Sequence, residues 1–231
     1  MNIVQPYAKL MDVPDLDAGI RLLKKIEWCG RVSHRSEEAQ TEDSWRRFIE
    51  AVVLGHGDWS IVEHASVTID MLVDRGITHE WVRHRLCAFT QESTRFVNYE
   101  KKMPPTFIEP LGLTDDAARA SNGEPVELST RQSWRHAVST SEAVYRRLLA
   151  AGVAPQIARS VFPNSLASRI ITTTNLRNLR HVLIMRTSKE AHPQMRQVTI
   201  PLLEEVKSKI PLLFDDIVPM AKQSESMARA R

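Results

Sequence analysis

The chain has 231 residues, 42% hydrophobic and 26% charged, which suits one large or two small domains with a buried core and an ordinary soluble composition. A net charge of +3 and a sequence pI near 9.0, with the cations dispersed rather than arrayed, argue against a nucleic-acid-binding protein. No apolar run approaches the length of a membrane span.

In chain order, the opening Met1-Asn2-Ile3-Val4-Gln5-Pro6 lacks a basic-then-apolar pattern, so a reducing cytoplasm is the expected setting. Residues 16–32 read as a helix carrying Ile20, Leu22, Leu23 and Ile26. Thr41 is placed to cap a second helix with Trp45, Phe48, Ile49 and Val52 inward, ended by Gly55. Residues 66–74 alternate, with Val67, Ile69, Met71 and Val73 on one face and Ser66, Thr68, Asp70 and Asp74 on the other, the clearest strand in the chain. Gly76 then turns the chain into a short helix over 78–89.

Residues 101–125 hold several prolines and Ser121-Asn122-Gly123, and read as a long surface excursion. A long helix follows from Ser129 to about residue 151, then a short one that Pro155 can start. A second strand is expected over 170–174 and a helix over 175–187 with Leu176, Leu179, Val182 and Leu183 in the core. A last helical region, 195–217, should be interrupted by Pro201 and Pro211, and residues 221–231 read as a mobile tail. Helices with a few strands make an α+β fold: a small antiparallel sheet packed with helices in a single domain.

Chemistry concentrates in three clusters. The first is Arg83-His84-Arg85, seven intervening residues, then Ser93 and Arg95, with Gln91, Glu92 and Thr94 among them. Guanidinium forks grip phosphate bidentately, and amides and hydroxyls read the edge of a ring, so the cluster suits a phosphorylated heterocycle. A solvated basic helix face with a buried histidine accounts for the same residues. The second cluster is Arg159. The third is a helix bearing Asn175, Arg177, Arg180, His181 and Arg186; here Asn175 and Arg186 project the same way after three turns, while Arg177 and His181 share another face. Arg far outnumbers Lys, as multidentate anion recognition or lineage bias would both produce. Cys29 and Cys87 have no partner at metal-ligand spacing. Cys87 reads as a small structural residue, or as a thiol activated by Arg83 and Arg85. His79 and His84, five apart, do not align on a helix, which argues against a metal hydrolase.

These residues resemble the flavin-dependent thymidylate synthases, whose signature is Arg-His-Arg, seven residues, then Ser. Gln91, Arg95 and Phe96 also fit, the last where Tyr is usual. His56, Glu63-His64, the Ala-Arg-x-x-x-Pro segment at Arg159, and Asn175-x-Arg177 with Arg186 follow in family order. The resemblance spans about residues 15–215. It implies a homotetramer with sites shared between subunits, no metal, and conversion of dUMP to dTMP. FAD is the implied cofactor and source of the hydride, 5,10-methylenetetrahydrofolate the carbon donor, NADPH the reductant, and tetrahydrofolate the released product. By position, Arg186 becomes the activating residue. Ser60, Arg83, His84, Arg85, Gln91, Asn175, Arg177 and His181 become the FAD set, and Glu80, Arg83, Gln91, Glu92, Ser93, Thr94, Arg95, Arg159 and Arg186 the dUMP set. Glu80 stands where Gln often meets the uracil, His181 replaces a usual Asn, and the His56 to His64 spacing is two residues longer than usual. A flavin- or nucleotide-binding regulator without turnover stays open as an alternative.

Overall fold

A computed structural model describes residues 1–99, 104–117, 119, 124 and 126–219. The expected tail at 221–231, and part of the expected excursion at 101–125, lie outside the described residues. The elements run β1 (Asn2–Ile3), β2 (Tyr7–Leu10), α1 (Leu16–Arg31), α2 (Ser44–Phe48), β3 (Ser66–Asp74), α3 (Arg75–Trp81), β4 (Ala88–Gln91), β5 (Thr106–Phe107), α4 (Thr130–Ala150), α5 (Pro155–Ala158), β6 (Ala167–Asn175), α6 (Leu176–Arg186) and α7 (Pro193–Lys209). α2 continues as a π-helical segment, Ile49–Gly55, and a 3-10 segment covers Trp59–His64. The fold is α+β, as expected.

A four-stranded sheet has the order β2-β3-β6-β4. Its central pair is antiparallel: Leu176 N donates to Ala65 O at one end, Arg75 N to Leu166 O at the other, and the Thr68 and Thr173 hydroxyls meet at 3.1 Å between. A separate pair, β1 with β5, is parallel, with Asn2 opposite Thr106.

The chain forms two compact units. One comprises Met1–Pro6, Leu72–Glu80 and Gln91–Arg169; the other comprises Tyr7–Met71, Trp81–Thr90 and Ile170–Arg231. In the first, Phe107, Val138, Tyr145 and Leu166 are buried with Tyr99, and Phe162 stacks on Tyr145 with ring centroids 4.5 Å apart. α4 is opened by a capping box in which Ser129 and Gln132 exchange hydrogen bonds. In the second, Leu23, Ile26, Ile49, Val62, Leu179, Leu183 and Leu202 are fully buried. There the apolar stripe of α1 meets α7 and the 3-10 segment, which also packs on α6.

Several expectations change. α2 starts at Ser44, whose hydroxyl bonds the backbone of Thr41, so Thr41 is not the cap. On the polar face of β3 Ser66 is exposed, but Asp70 is buried and accepts from the Tyr7 hydroxyl at 3.2 Å, while buried Asp74 accepts from Ile77 N at 2.8 Å and so caps α3. Gly76 lies inside α3, which ends at Trp81 rather than continuing to Phe89, because residues 88–91 pair as a sheet strand instead. Pro201 does not interrupt α7. The interior proline costs about 3 kcal/mol, which burial of Val198, Leu202, Leu203 and Val206 offsets.

Candidate functional site

The end of α3 sets the first cluster. Trp81 is buried and its indole N–H donates to Thr172 on β6 at 2.8 Å, so the chain leaves the helix from a fixed point. Two turns follow, His84 N to Trp81 O and Cys87 N to His84 O, before β4 begins. Arg83, His84 and Arg85 therefore project from a turn rather than a helix face, with both arginines exposed.

Opposite them in the same unit stands the start of α6. Asn175 is its N-cap, accepting from Asn178 N at 2.8 Å, and its side chain is not on the helix surface assumed from periodicity. Asn175, Arg177, Asn178 and His181 line a depression of about 570 Å³ with Glu63 and Leu86. Arg177 and His181 share a face, as their spacing requires. Arg177 donates to Glu63 at 2.5 Å, and both side chains are about half exposed. Leu86 is 77% exposed, an apolar side chain standing at the rim of a polar cavity. Asn178 carries its amide to Thr174 at 2.8 Å and to the Cys87 sulfur at 3.1 Å, so Cys87 is a partly buried, hydrogen-bonded thiol.

Arg186, in the last turn of α6, does not join Asn175. Its Nε donates to His84 Nε2 at 2.9 Å. Arginine has only donors, so Nε2 must be the acceptor and the imidazole proton sits on Nδ1. Burial, followed by the Arg186 cation and then the neighbouring His181, lowers the His84 pKa to about 4. Near neutral pH the cation at this site belongs to Arg186, and His84 is a neutral acceptor.

The other unit holds the second group. Gln91 donates to the Thr78 and Ser168 hydroxyls, both at 3.0 Å. Arg159 donates to Thr94 at 2.8 Å, and Arg95 to Gln156 at 3.2 Å, which brings two exposed guanidiniums to the α5 region. Ser93 organises the loop between them, receiving Arg95 N at its hydroxyl and Phe96 N and Val97 N at its carbonyl. The Glu92 carboxylate is bonded by the Tyr99 hydroxyl at 2.9 Å.

The proposed residues thus segregate. His84, Asn175, Arg177, His181 and Arg186, with exposed Ser60, Arg83 and Arg85, belong to one unit; Gln91, Glu92, Ser93, Thr94, Arg95, Arg159 and half-buried Glu80 belong to the other. His56 is exposed at the end of the π-helical segment and does not line the depression. Sequence reasoning named Glu63 only as a family landmark, without a role, and passed over Leu86 and Asn178. For Asn178 a signal existed, since an asparagine three residues after a capping asparagine lies one turn into the helix. The Glu63 pairing spans 114 residues and leaves no local trace.

A family model described as "Thymidylate synthase complementing protein" matches residues 21–212. Among similar proteins, one from Mycobacterium sp. (strain JLS) is 33% identical over 231 residues, covering 93% of this chain and 88% of that protein. Another from Mycolicibacterium vanbaalenii is 31% identical over 230 residues, with the same coverage. A third, from Pyrococcus abyssi, is 29% identical over 197 residues, covering 82% and 76%. Each is named flavin-dependent thymidylate synthase.

Proposed function

The chain belongs to the thymidylate synthase complementing protein family, and on that premise we propose that it is a flavin-dependent thymidylate synthase. In this reading dUMP, 5,10-methylenetetrahydrofolate, NADPH and a proton give dTMP, tetrahydrofolate and NADP⁺, with FAD as the cofactor. The observation that carries it is the gathering of Asn175, Arg177 and His181 around one depression, with Arg186 held by His84 at the far end of the same helix.

The donor set suits the cofactor. Amides and an imidazole can meet ring nitrogens and carbonyls, Leu86 offers an apolar surface, and Arg177 can take a phosphate. Arg177 is paired with Glu63, but an exposed ion pair contributes only about 0–1 kcal/mol and exchanges readily for a more charged partner. When bound, the flavin supplies the redox chemistry. The protein's part is positioning and charge stabilisation. Arg186, oriented by its Nε on His84, is the cation that stabilises negative charge spreading over the uracil. Arg95 and Arg159, with Ser93, bind the nucleotide phosphate; Gln91 serves either ligand, although its amide already holds Thr78 and Ser168. Glu80 contacts the base while the uracil N3 keeps its proton. The proposal includes a cytoplasmic homotetramer, so that the nucleotide and flavin sets need not meet within one chain. No enzyme nucleophile is required, and Cys87 is dispensable.

Purified protein should be yellow and release FAD on denaturation, and with the three substrates it should form dTMP. Colourless protein that takes up no added FAD would overturn the proposal, and yellow protein that binds dUMP without turnover would favour a regulator.

A further inference from the structure

The loop assigned to the nucleotide phosphate carries an anion of its own. Glu92 directly precedes Ser93, and a carboxylate beside a dianion is repulsive unless it is turned away and held. It is held: the Tyr99 hydroxyl donates to Glu92 Oε1 at 2.9 Å, Arg169 N donates to Oε2 at a longer 3.4 Å, and Glu92 N donates to Arg169 O at 2.8 Å, so the Tyr99 bond is the shorter of the two on the carboxylate. Tyr99 is only 4% exposed, and its ring packs edge-on against Tyr145 and Phe162 with centroids at 6.1 and 5.7 Å. Its orientation is therefore set by the aromatic core, independently of any ligand. Burial and the adjacent Glu92 charge raise the Tyr99 pKa, so the phenol stays protonated and remains a donor.

We infer that Tyr99 is a positioning residue for nucleotide affinity: by holding the Glu92 carboxylate against the aromatic core, it keeps that charge out of the phosphate loop formed by Ser93, Thr94, Arg95 and Arg159. The inference rests on the nucleotide assignment above. It explains how the chain tolerates a glutamate in a loop built for an anion. It also withdraws the Glu92 side chain from the set of direct dUMP contacts.

The test uses flavin-loaded full-length protein and calorimetric titration with dUMP. Tyr99→Phe keeps the ring but removes the donor, so dUMP affinity should fall about tenfold, with flavin content and kcat at saturating dUMP held within about twofold. Adding Glu92→Gln to Tyr99→Phe removes the charge and should restore affinity, which loss of packing alone would not do. Glu92→Asp, one methylene too short to reach Tyr99, should show the same loss without touching the aromatic cluster, and decides the matter if Tyr99→Phe does not fold. Wild-type affinity in both single variants, or no recovery in the double variant, would overturn the inference. Wild-type protein that binds flavin but no dUMP would instead overturn the nucleotide assignment itself.

Discussion

A neutral histidine against a permanent cation is an unusual pairing, and its direction follows from donor counting. Arg186 can only donate, so His84 gains the hydrogen bond only while Nε2 is unprotonated. NMR titration should find the His84 ring neutral until about pH 4, with its proton on Nδ1. Because the folded pKa is depressed from an ordinary 6.5, the unfolded chain takes up this proton first. Stability should therefore fall as pH drops from about 6.5 to about 4 and lose nothing further from this group below that. Denaturant unfolding of His84→Gln should show a shallower decline over the same window. Arg186→Ala should keep FAD, lose most dTMP formation and move the His84 pKa upward; full turnover in that variant would remove Arg186 from catalysis. The motif spacing was readable from the chain, but this contact spans 102 residues and no spacing rule reaches that far.

Among the elements, the helices were legible because their cores repeat at helical period: Leu23 and Ile26 in α1, and Leu176, Leu179 and Leu183 in α6, are fully buried. The short strands β1, β2, β4 and β5 were not. Two to four residues hold no diagnostic alternation, and β4 exists because the sheet offers it partners. Close helix contact was equally hidden. Gly19 of α1 faces α7 so tightly that an added Cβ would stand 1.7 Å from the Lys209 carbonyl oxygen. The obstacle is backbone and cannot rotate away, so Gly19→Ala should destabilise by about 2–4 kcal/mol, read as a lowered midpoint in urea.

At the scale of the molecule, the chain passes between the two units at residues 6–7, 71–72, 80–81, 90–91 and 169–170. β3, β4 and β6 each contribute residues to both. Units that share strands have no separable sequence to fold alone, so calorimetry should show one cooperative transition, and two resolved transitions would refute a single folding domain. The α+β class was open to sequence reasoning because it depends on local periodicities. Assignment of the ligand-binding residues to separate units was not, since the boundary falls inside the signature segment, between Thr90 and Gln91.

One consequence concerns where this chain can change length. α6 bears Asn175 and Arg177 at its start and Arg186 at its end, a rigid span of about 16 Å. Inserting or deleting a single residue within it would turn everything beyond by about 100° and carry Arg186 off His84. Additions of any size are better borne in the stretch from Leu111 to Asp116, which belongs to no helix or strand. The helix therefore acts as a gauge length: its side chains can be exchanged one at a time, but its residue count cannot.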